Sequence, residues 1–382
     1  MALNFAIRRL PQCRSTFGKL PAAIRQFTVL AIETSADDTC AAIVDSSRKI
    51  HSNIIIKQNH IHEPLGGIWP MGAIGAHQAN LPLAIRQALD QADMDIGKDI
   101  DGIAFSRGPG RMPGCLSVGM NASKSLAAAT GKPIVGVNHM QGHALTPLLT
   151  SWPQEPQFPF MTLLVSGAHT LLVLATSVNS FKILATTADE SIGRTFDKVS
   201  RALGLQWTDL GPGDALDKFC AEEQAIDIPV PAVPRPFPNQ LKFSFSGIHS
   251  HMKMFIESLG GAEKIDKSTK RSIARAFQTG VVRQLEDKVV LALDLCRKHK
   301  IPIHALVVSG GVASNSFLRE RLHDCLVKHG RGAPIPLVFP PVNLCTDNAV
   351  MIAWASMHRF LANDTDTYDI GLRPDWSIEE SN

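Results

Sequence analysis

One order of strand and helix signals occurs twice along this 382-residue chain, and that repetition limits the fold more than any other feature. In the first half, residues 28–33, 40–45 and 50–56 are short apolar runs read as three strands. The first two are joined by Thr34-Ser35-Ala36-Asp37-Asp38, a turn rich in hydroxyls and carboxylates. A helical pattern then covers 70–91, followed by a strand at 102–106, a helix at 114–129, a strand at 133–137 and a helix from His139. The second half repeats the order. Strands are expected at 160–166, 170–175 and 181–185, with helical segments within 190–225. A long amphipathic helix spans 267–299, with Ile273, Ala276, Phe277, Val281, Leu285, Val289 and Ala292 at three-and-four spacing. A strand at 303–309, a helix at 314–328, a strand at 336–339 and a helix at 347–361 close the half, and the proline-rich run 228–238 reads as a loop.

Three strands followed by alternating helices and strands, twice over, imply two duplicated α/β domains facing a cleft. The ordering matches the ASKHA (actin/sugar-kinase/Hsp70-like) fold, although the pattern alone also suits other two-domain α/β enzymes. Hydrophobic residues make up 45% and charged residues 19%, which suits a chain with a full core and excludes a disordered one. The formal charge is +3, and five basic residues precede the first acid, Glu33. The body is therefore close to neutral, and any nucleic acid must be bound through a local patch. No run reaches the ~18 apolar residues of a membrane span. The seven cysteines form no CxxC pair, which argues against a zinc ribbon or a dense disulfide framework.

Residues 1–27 carry those five basic residues, no acid, and an amphipathic stretch of Leu3, Phe5, Ile7 and Leu10 opposite Arg8 and Arg9. This is the composition of a mitochondrial transit peptide, expected to be removed near residue 27. The two domains are expected at 28–150 and 151–382.

The sharpest local motif is Asn138-His139-Met140-Gln141-Gly142-His143. On a helix, histidines four apart share one face, a geometry suited to two metal ligands, although such a pair alone is more often surface or core. Met140 stands where a zincin carries its catalytic Glu, and Gln141 cannot serve as a base. In Cys345-Thr346-Asp347-Asn348, either Thr346 or Asp347 reads as a helix N-cap, or Asp347 reads as a carboxylate facing the two histidines. Leu164-Val165-Ser166-Gly167-Ala168-His169-Thr170 reads as a hairpin, or as a turn whose amides meet phosphate oxygens. Val308-Ser309-Gly310-Gly311-Val312-Ala313-Ser314-Asn315 runs from strand through double glycine to helix, where a nucleotide can approach the backbone. Asp197 is either a solvated helix residue or a partner for ribose hydroxyls, and Gly211-Pro212-Gly213-Asp214, with Asp217, is a further turn at the same cleft.

Seven motifs occur in one order across residues 28–361: Ile32-Glu33-Thr34-Ser35 with Asp37-Asp38-Thr39, Gly108-Pro109-Gly110, the paired-histidine motif, Ser166 to Thr170, Phe243-Ser244-Phe245-Ser246-Gly247, Ser309 to Asn315, and Cys345 to Asn348. Together they resemble the TsaD/Kae1/Qri7 family, the tRNA N(6)-adenosine threonylcarbamoyltransferases, in its mitochondrial branch. The resemblance implies one divalent metal (zinc, iron or magnesium) held by His139, His143 and Asp347. It also implies that threonylcarbamoyl-AMP is held by Leu164, Val165, Ser166, Gly167, Ala168, Asp197, Gly213, Asp217, Ser314 and Asn315, with Thr346 beside the metal. Asp37 matches the acidic position linked to activity. Implied partners are tRNA, a threonylcarbamoyl-adenylate synthase and a second copy of the chain in a homodimer, and the implied location is the mitochondrial matrix. The chain departs from the family with Ala36, Asn138, Gln141 and Ala168, where Cys, His, Glu and Gly are usual.

An adenine amine is a weak nucleophile because its lone pair is delocalised, so transfer to it needs an activated carbonyl. Asp37 or Asp38 is the expected proton acceptor. Arg107 and Arg111, flanking the Gly108-Pro109-Gly110 loop, are expected to face tRNA. A metallopeptidase and a non-enzymatic ATP-binding module are the competing readings. The first lacks a proton acceptor after His139; the second has no use for paired histidines.

Overall fold

The computed structural model describes residues 26–208, 211–222, 229–329 and 334–380, so the leader reading of 1–27 lies almost entirely outside the described residues. The first half holds β1 (Thr28–Glu33), β2 (Thr39–Asp45), β3 (Ile50–Ile56), α1 (Asn59–His62), α2 (Pro70–Ala92), β4 (Gly102–Gly108), α3 (Pro113–Thr130), β5 (Ile134–Asn138) and α4 (His139–Thr150). The second holds β6 (Phe160–Val165), β7 (Thr170–Ser177), β8 (Ser180–Thr187), α5 (Ile192–Ala202), α6 (Pro212–Ala221), β9 (Lys242–Phe243), α7 (Ser246–Ser258), α8 (Lys267–Lys298), β10 (Leu306–Ser309), α9 (Ser316–His329), β11 (Leu337–Val338), α10 (Val342–Cys345) and α11 (Ala349–Leu361).

The repetition in the sequence is a repetition of topology. One sheet runs β3-β2-β1-β4-β5, and the other runs β11-β10-β6-β7-β8-β9. Each centres on a strand with an antiparallel partner on one side and a parallel one on the other. Leu30 of β1 lies opposite Ile43 of β2 and Ile103 of β4, and Leu163 of β6 lies opposite Leu172 of β7 and Val308 of β10. This is the duplicated two-sheet architecture of the ASKHA fold, with β9 added at one edge. β1 and β6 are buried along their full length, as expected of strands covered on both faces.

Between the sheets lie α4 and α11. Their Ala144, Leu145, Val350 and Met351 share one apolar core with Val29 and Val44 of the first sheet and Phe160, Val173 and Val307 of the second. α8 covers the outer face of the second sheet, where Phe277, Val281 and Leu285 pack with Phe196, Phe243 and Phe245. Leu81 of α2 and Ala127 of α3 pack on Phe105 and Ile134 of the first sheet. The chain after α11 turns back along the first sheet. Asp366 donates its backbone N–H to the Ile134 carbonyl at 2.9 Å, and Arg373 donates to that of Arg107 at 3.0 Å.

Most differences from the sequence reading have a local cause. The strand expected at 303–309 starts only at Leu306, because residues 303–305 run beside Pro159 and Pro336, which have no N–H to return to a ladder. The helical segments expected within 190–225 are α5 and α6, which are set apart by Gly204 and Gly211 at φ 69° and 94°. The spacing of Ile248, Met252 and Ile256 makes α7, where the sequence reading placed only a motif. No helix among the described residues is long and apolar enough to cross a membrane.

A candidate metal centre in an acidic cleft

β1, β4, β5, β6 and β10 end at the cleft, so the turns that follow them converge there. α4 begins directly after β5. Asn138 caps it: its Oδ1 accepts from the N–H groups of Met140 at 3.0 Å and Gln141 at 3.3 Å. That cap starts the helix at His139, so His139 and His143 face inward, both buried, with ring centroids 4.9 Å apart.

Asp347 meets them from the opposite half. Its Oδ1 lies 3.4 Å from His139 Nε2 and 3.1 Å from His143 Nε2. The capping role that the sequence left open between Thr346 and Asp347 falls to neither. Asn348 caps α11, accepting from the Met351 N–H at 3.0 Å and donating its Nδ2 to the Thr346 carbonyl at 2.8 Å. Asp347 is thereby left to the histidines.

Behind His139 stands Glu33, fully buried at the end of β1, a residue whose part in the site the sequence reading missed. Its Oε2 lies 3.1 Å from His139 Nδ1 and accepts a short bond from Ser106, while Oε1 accepts from the Ser35 N–H at 2.5 Å. An acceptor at Nδ1 fixes a proton there and aims Nε2 to the side of Asp347, the arrangement that orients a metal-bound imidazole. Burial alone would lower the basicity of His139, but the carboxylates of Glu33 and Asp347 outweigh it and push its pKa up to about 10. Burial likewise opposes charge on Asp347, yet His139 and His143 hold its carboxyl well below the usual range. One ligand atom from each of His139, His143 and Asp347 lies within 4.8 Å of the others. Two imidazoles, a carboxylate and a supporting carboxylate fit a single divalent cation.

The turn after β1 brings two further carboxylates to the same cleft. Burial, with the charge of Asp347, pushes Asp37 up to about 6. Burial, with the charges of Asp37 and Asp347, pushes Asp38 up to about 8.

The remaining expected residues line the second half's side. Leu164 and Val165 are buried with their side chains in the core, so only their backbone reaches the cleft. Gly310, at φ 102°, crosses so close to β6 that a Cβ would stand 2.4 Å from the Val165 carbonyl oxygen. The Ser166 hydroxyl accepts from the N–H groups of Ala168 at 3.3 Å and His169 at 3.1 Å. Ser191, the cap of α5, donates to the Gly167 carbonyl at 2.5 Å. Ala168 is absent from the residues at positive φ, so the alanine fits this turn where the family carries glycine.

Asp197 accepts from the Gly213 N–H, and burial pushes its carboxyl up to about 6, with Asp37 adding to the rise. Asp217 is held by Gln278 at 2.8 Å and by the Ser316 N–H at 3.0 Å, at the start of α9. Beside it, Asn315 Oδ1 accepts from the Leu318 N–H at 2.8 Å, and Ser314 donates to the Gly311 carbonyl at 2.6 Å. A Cβ on Gly311 would lie 3.9 Å from the Thr346 methyl, which joins this loop to the metal-side turn.

Gln141 points away from the histidines and donates to the Val178 carbonyl at 2.8 Å, so the departure at 141 leaves the centre untouched. Arg107 is engaged elsewhere: its Nε donates to the Gly371 carbonyl at 2.7 Å and its guanidinium lies over Trp376, clasping the tail. Arg111 is exposed and bears on His169 electrostatically, which makes it the better candidate of the two for a polyanion. Phe243 to Gly247 is built around Asp189, whose carboxylate accepts from the hydroxyls of Ser244 and Ser246 at 2.5 and 2.6 Å.

The family model TsaD, tRNA N6-adenosine threonylcarbamoyltransferase, matches residues 49–354. A tRNA N6-adenosine threonylcarbamoyltransferase of Bartonella tribocorum is 39% identical, covering 92% of this chain and 95% of its own length. One from Cereibacter sphaeroides is 38% identical over 93% and 95%. A probable mitochondrial tRNA N6-adenosine threonylcarbamoyltransferase of Arabidopsis thaliana is 36% identical, covering 92% of this chain and 75% of its own.

Proposed function

Since the chain belongs to the tRNA N6-adenosine threonylcarbamoyltransferase family, we propose that it transfers the threonylcarbamoyl group of threonylcarbamoyl-AMP to one position in mitochondrial tRNA. That position is the exocyclic amine of the adenine 3′ of the anticodon, in tRNAs reading codons that start with A. The observation that carries this reading is the placing of two raised carboxylates, Asp37 and Asp38, in the cleft that holds His139, His143 and Asp347. A proton acceptor works best when its pKa lies near the working pH.

In the proposed reaction, the adenine N6 attacks the carbamoyl carbon and a C–N bond forms. The bond from that carbon to the phosphate oxygen breaks, and AMP leaves with the electron pair. Asp37 or Asp38 takes the proton lost by the amine. A divalent cation held by His139, His143 and Asp347 would polarise the donor and offset charge on the leaving phosphate. The turn Leu164 to Ala168, with Ser314, Asn315 and Thr346, would bind the donor, and Asp197, Gly213 and Asp217 would face its ribose. The target base is single-stranded in an anticodon loop and can be splayed into the cleft.

Residues 28–150 and 151–382 form the two subdomains of this reading. The basic, acid-free leader and the Arabidopsis relative favour the mitochondrial matrix. The donor would come from a threonylcarbamoyl-adenylate synthase, and the chain would act as a homodimer. Mass spectrometry of nucleosides in mitochondrial tRNA from cells lacking the chain tests this reading. Loss of threonylcarbamoyladenosine there is expected, and an unchanged level rejects it.

A further inference from the structure

Behind the Asp37–Asp38 turn runs a line of hydrogen bonds that the transfer chemistry does not use. His77 on α2, His62 on α1, and Gln58 and Thr39 are each fully buried. His77 Nε2 lies 3.0 Å from the Ala36 carbonyl oxygen. A carbonyl only accepts, so Nε2 carries the proton and Nδ1 is an acceptor. The Thr39 hydroxyl meets Nδ1 at 2.8 Å and Gln58 Nε2 meets it at 3.3 Å. With the amide of Gln58 so turned, its Oε1 accepts from His62 Nε2 at 3.2 Å. His62 Nδ1 then accepts the backbone N–H of Trp69 at 3.2 Å. Every donor points the same way, from Trp69 to Ala36, and both imidazoles are neutral single tautomers.

A buried polar chain of this kind costs stability unless each member is satisfied, and apolar side chains could fill the same space. The chain does not close on itself. It ends on the carbonyl of the peptide that precedes Asp37, and that bond fixes the plane of the Ala36–Asp37 peptide and hence the direction in which the Asp37 side chain leaves the turn. At the other end, the 63–69 loop lies against the facing half, where a Cβ on Gly67 would be 3.1 Å from Arg201 of α5.

We propose that His77 is a positioning residue for the Asp37–Asp38 turn, acting through the Ala36 carbonyl and itself oriented by Thr39, Gln58 and His62. This rests on the proposed role of Asp37 in the transfer. His77 makes no contact with substrate in this account, so its loss should lower kcat while leaving the KM for donor and the metal content near wild type.

The test measures kcat, both KM values and bound metal in the full-length transferase carrying His77→Leu, His77→Gln, Thr39→Val or Asp37→Ala. His77→Leu is expected to lower kcat by ~10–100-fold, the scale of a small misplacement of a reacting group. His77→Gln keeps an N–H near the Nε2 position and should recover most of the loss. Thr39→Val is isosteric in a strand and should fold, so it keeps the test valid if the histidine variants do not; it should lower kcat several-fold, roughly one lost hydrogen bond. Wild-type kcat in Thr39→Val and His77→Leu overturns the inference, as does a loss that His77→Gln fails to recover or that tracks metal content. An active Asp37→Ala would instead reject the reading on which the inference rests, and the two failures are distinct.

Discussion

Two groups of aspartate occupy one cleft and are driven in opposite directions. Asp347 is half-buried, and the imidazoles of His139 and His143 hold its carboxyl well below the ordinary range. Asp37 meets burial and the charge of Asp347, and Asp38 meets burial and the charges of Asp37 and Asp347; Lys57 opposes both shifts without outweighing them, and they rise to about 6 and about 8. In the proposed reaction the same side chain thus takes two tasks, set by its neighbours. A carboxylate kept ionised suits a metal ligand, and one poised near neutrality suits proton transfer. The supports differ as well. Asp347 is flanked by a capping Asn348 and by the Glu33–His139 pair, whereas the Asp37 turn is held from behind by neutral hydrogen bonds.

The largest effect should come from dismantling the metal side. Combining His139→Ala with His143→Ala is expected to remove the bound metal, and elemental analysis of the purified protein checks it. Unchanged content would place the metal elsewhere. Glu33→Gln keeps the ligands but weakens the acceptor behind His139. Metal affinity should fall by about 10–100-fold, the usual scale for an outer partner of a metal-bound imidazole. In a competition titration with a chelator, Asp38→Asn should stay near wild type, and equal losses in the two variants would erase the contrast.

A pH series sharpens the other side. A proton acceptor must be ionised, so kcat should climb as pH rises from about 6 to about 8, and Asp38→Asn should lose the upper part of that climb. A flat profile in the wild type would remove both carboxylates from the proton-transfer role.

Stability should follow the same groups with a definite sign. Asp38 has a folded pKa of about 8 against an ordinary 3.8. The folded chain therefore holds a proton that the unfolded chain releases, and this contribution is kept at low pH and lost as pH rises toward 8. Asp38→Asn should raise the melting temperature more at pH 8 than at pH 5, and an equal shift at both would contradict the assignment. The smallest effect concerns Asn315, whose side-chain oxygen caps α9. Asn315→Ala should cost about 0.5–2 kcal/mol of stability, and Asn315→Asp should spare most of it. Denaturant melts separate this loss from any loss of donor binding.

Much of the architecture was legible in the residues because strand runs and helix spacing are local signals. The duplicated sheet order follows from them, and the four-residue spacing of His139 and His143 placed both on one helix face. What stayed hidden depends on contacts between distant segments. Glu33 reads as the polar end of a strand until β4 and α4 bring Ser106 and His139 to it. Thr346, Asp347 and Asn348 offer three possible caps in a row, and only the packed helix shows that Asn348 takes the role. Arg107 reads as a free base beside a glycine loop until the tail returns to cover it. His62 and His77 lie fifteen positions apart, with no motif to connect them.

The most direct measurement is a reconstituted transfer with the chain lacking residues 1–27. It is given tRNA reading codons that start with A, together with a threonylcarbamoyl-adenylate synthase, threonine, bicarbonate and ATP. Once the adenylate has formed, residual ATP is removed and nucleosides are analysed by mass spectrometry. Threonylcarbamoyladenosine should appear 3′ of the anticodon without further ATP, and Asp37→Ala should form none while still binding metal. Absence of the modified nucleoside in the presence of measured donor, or full activity in Asp37→Ala, would contradict the account.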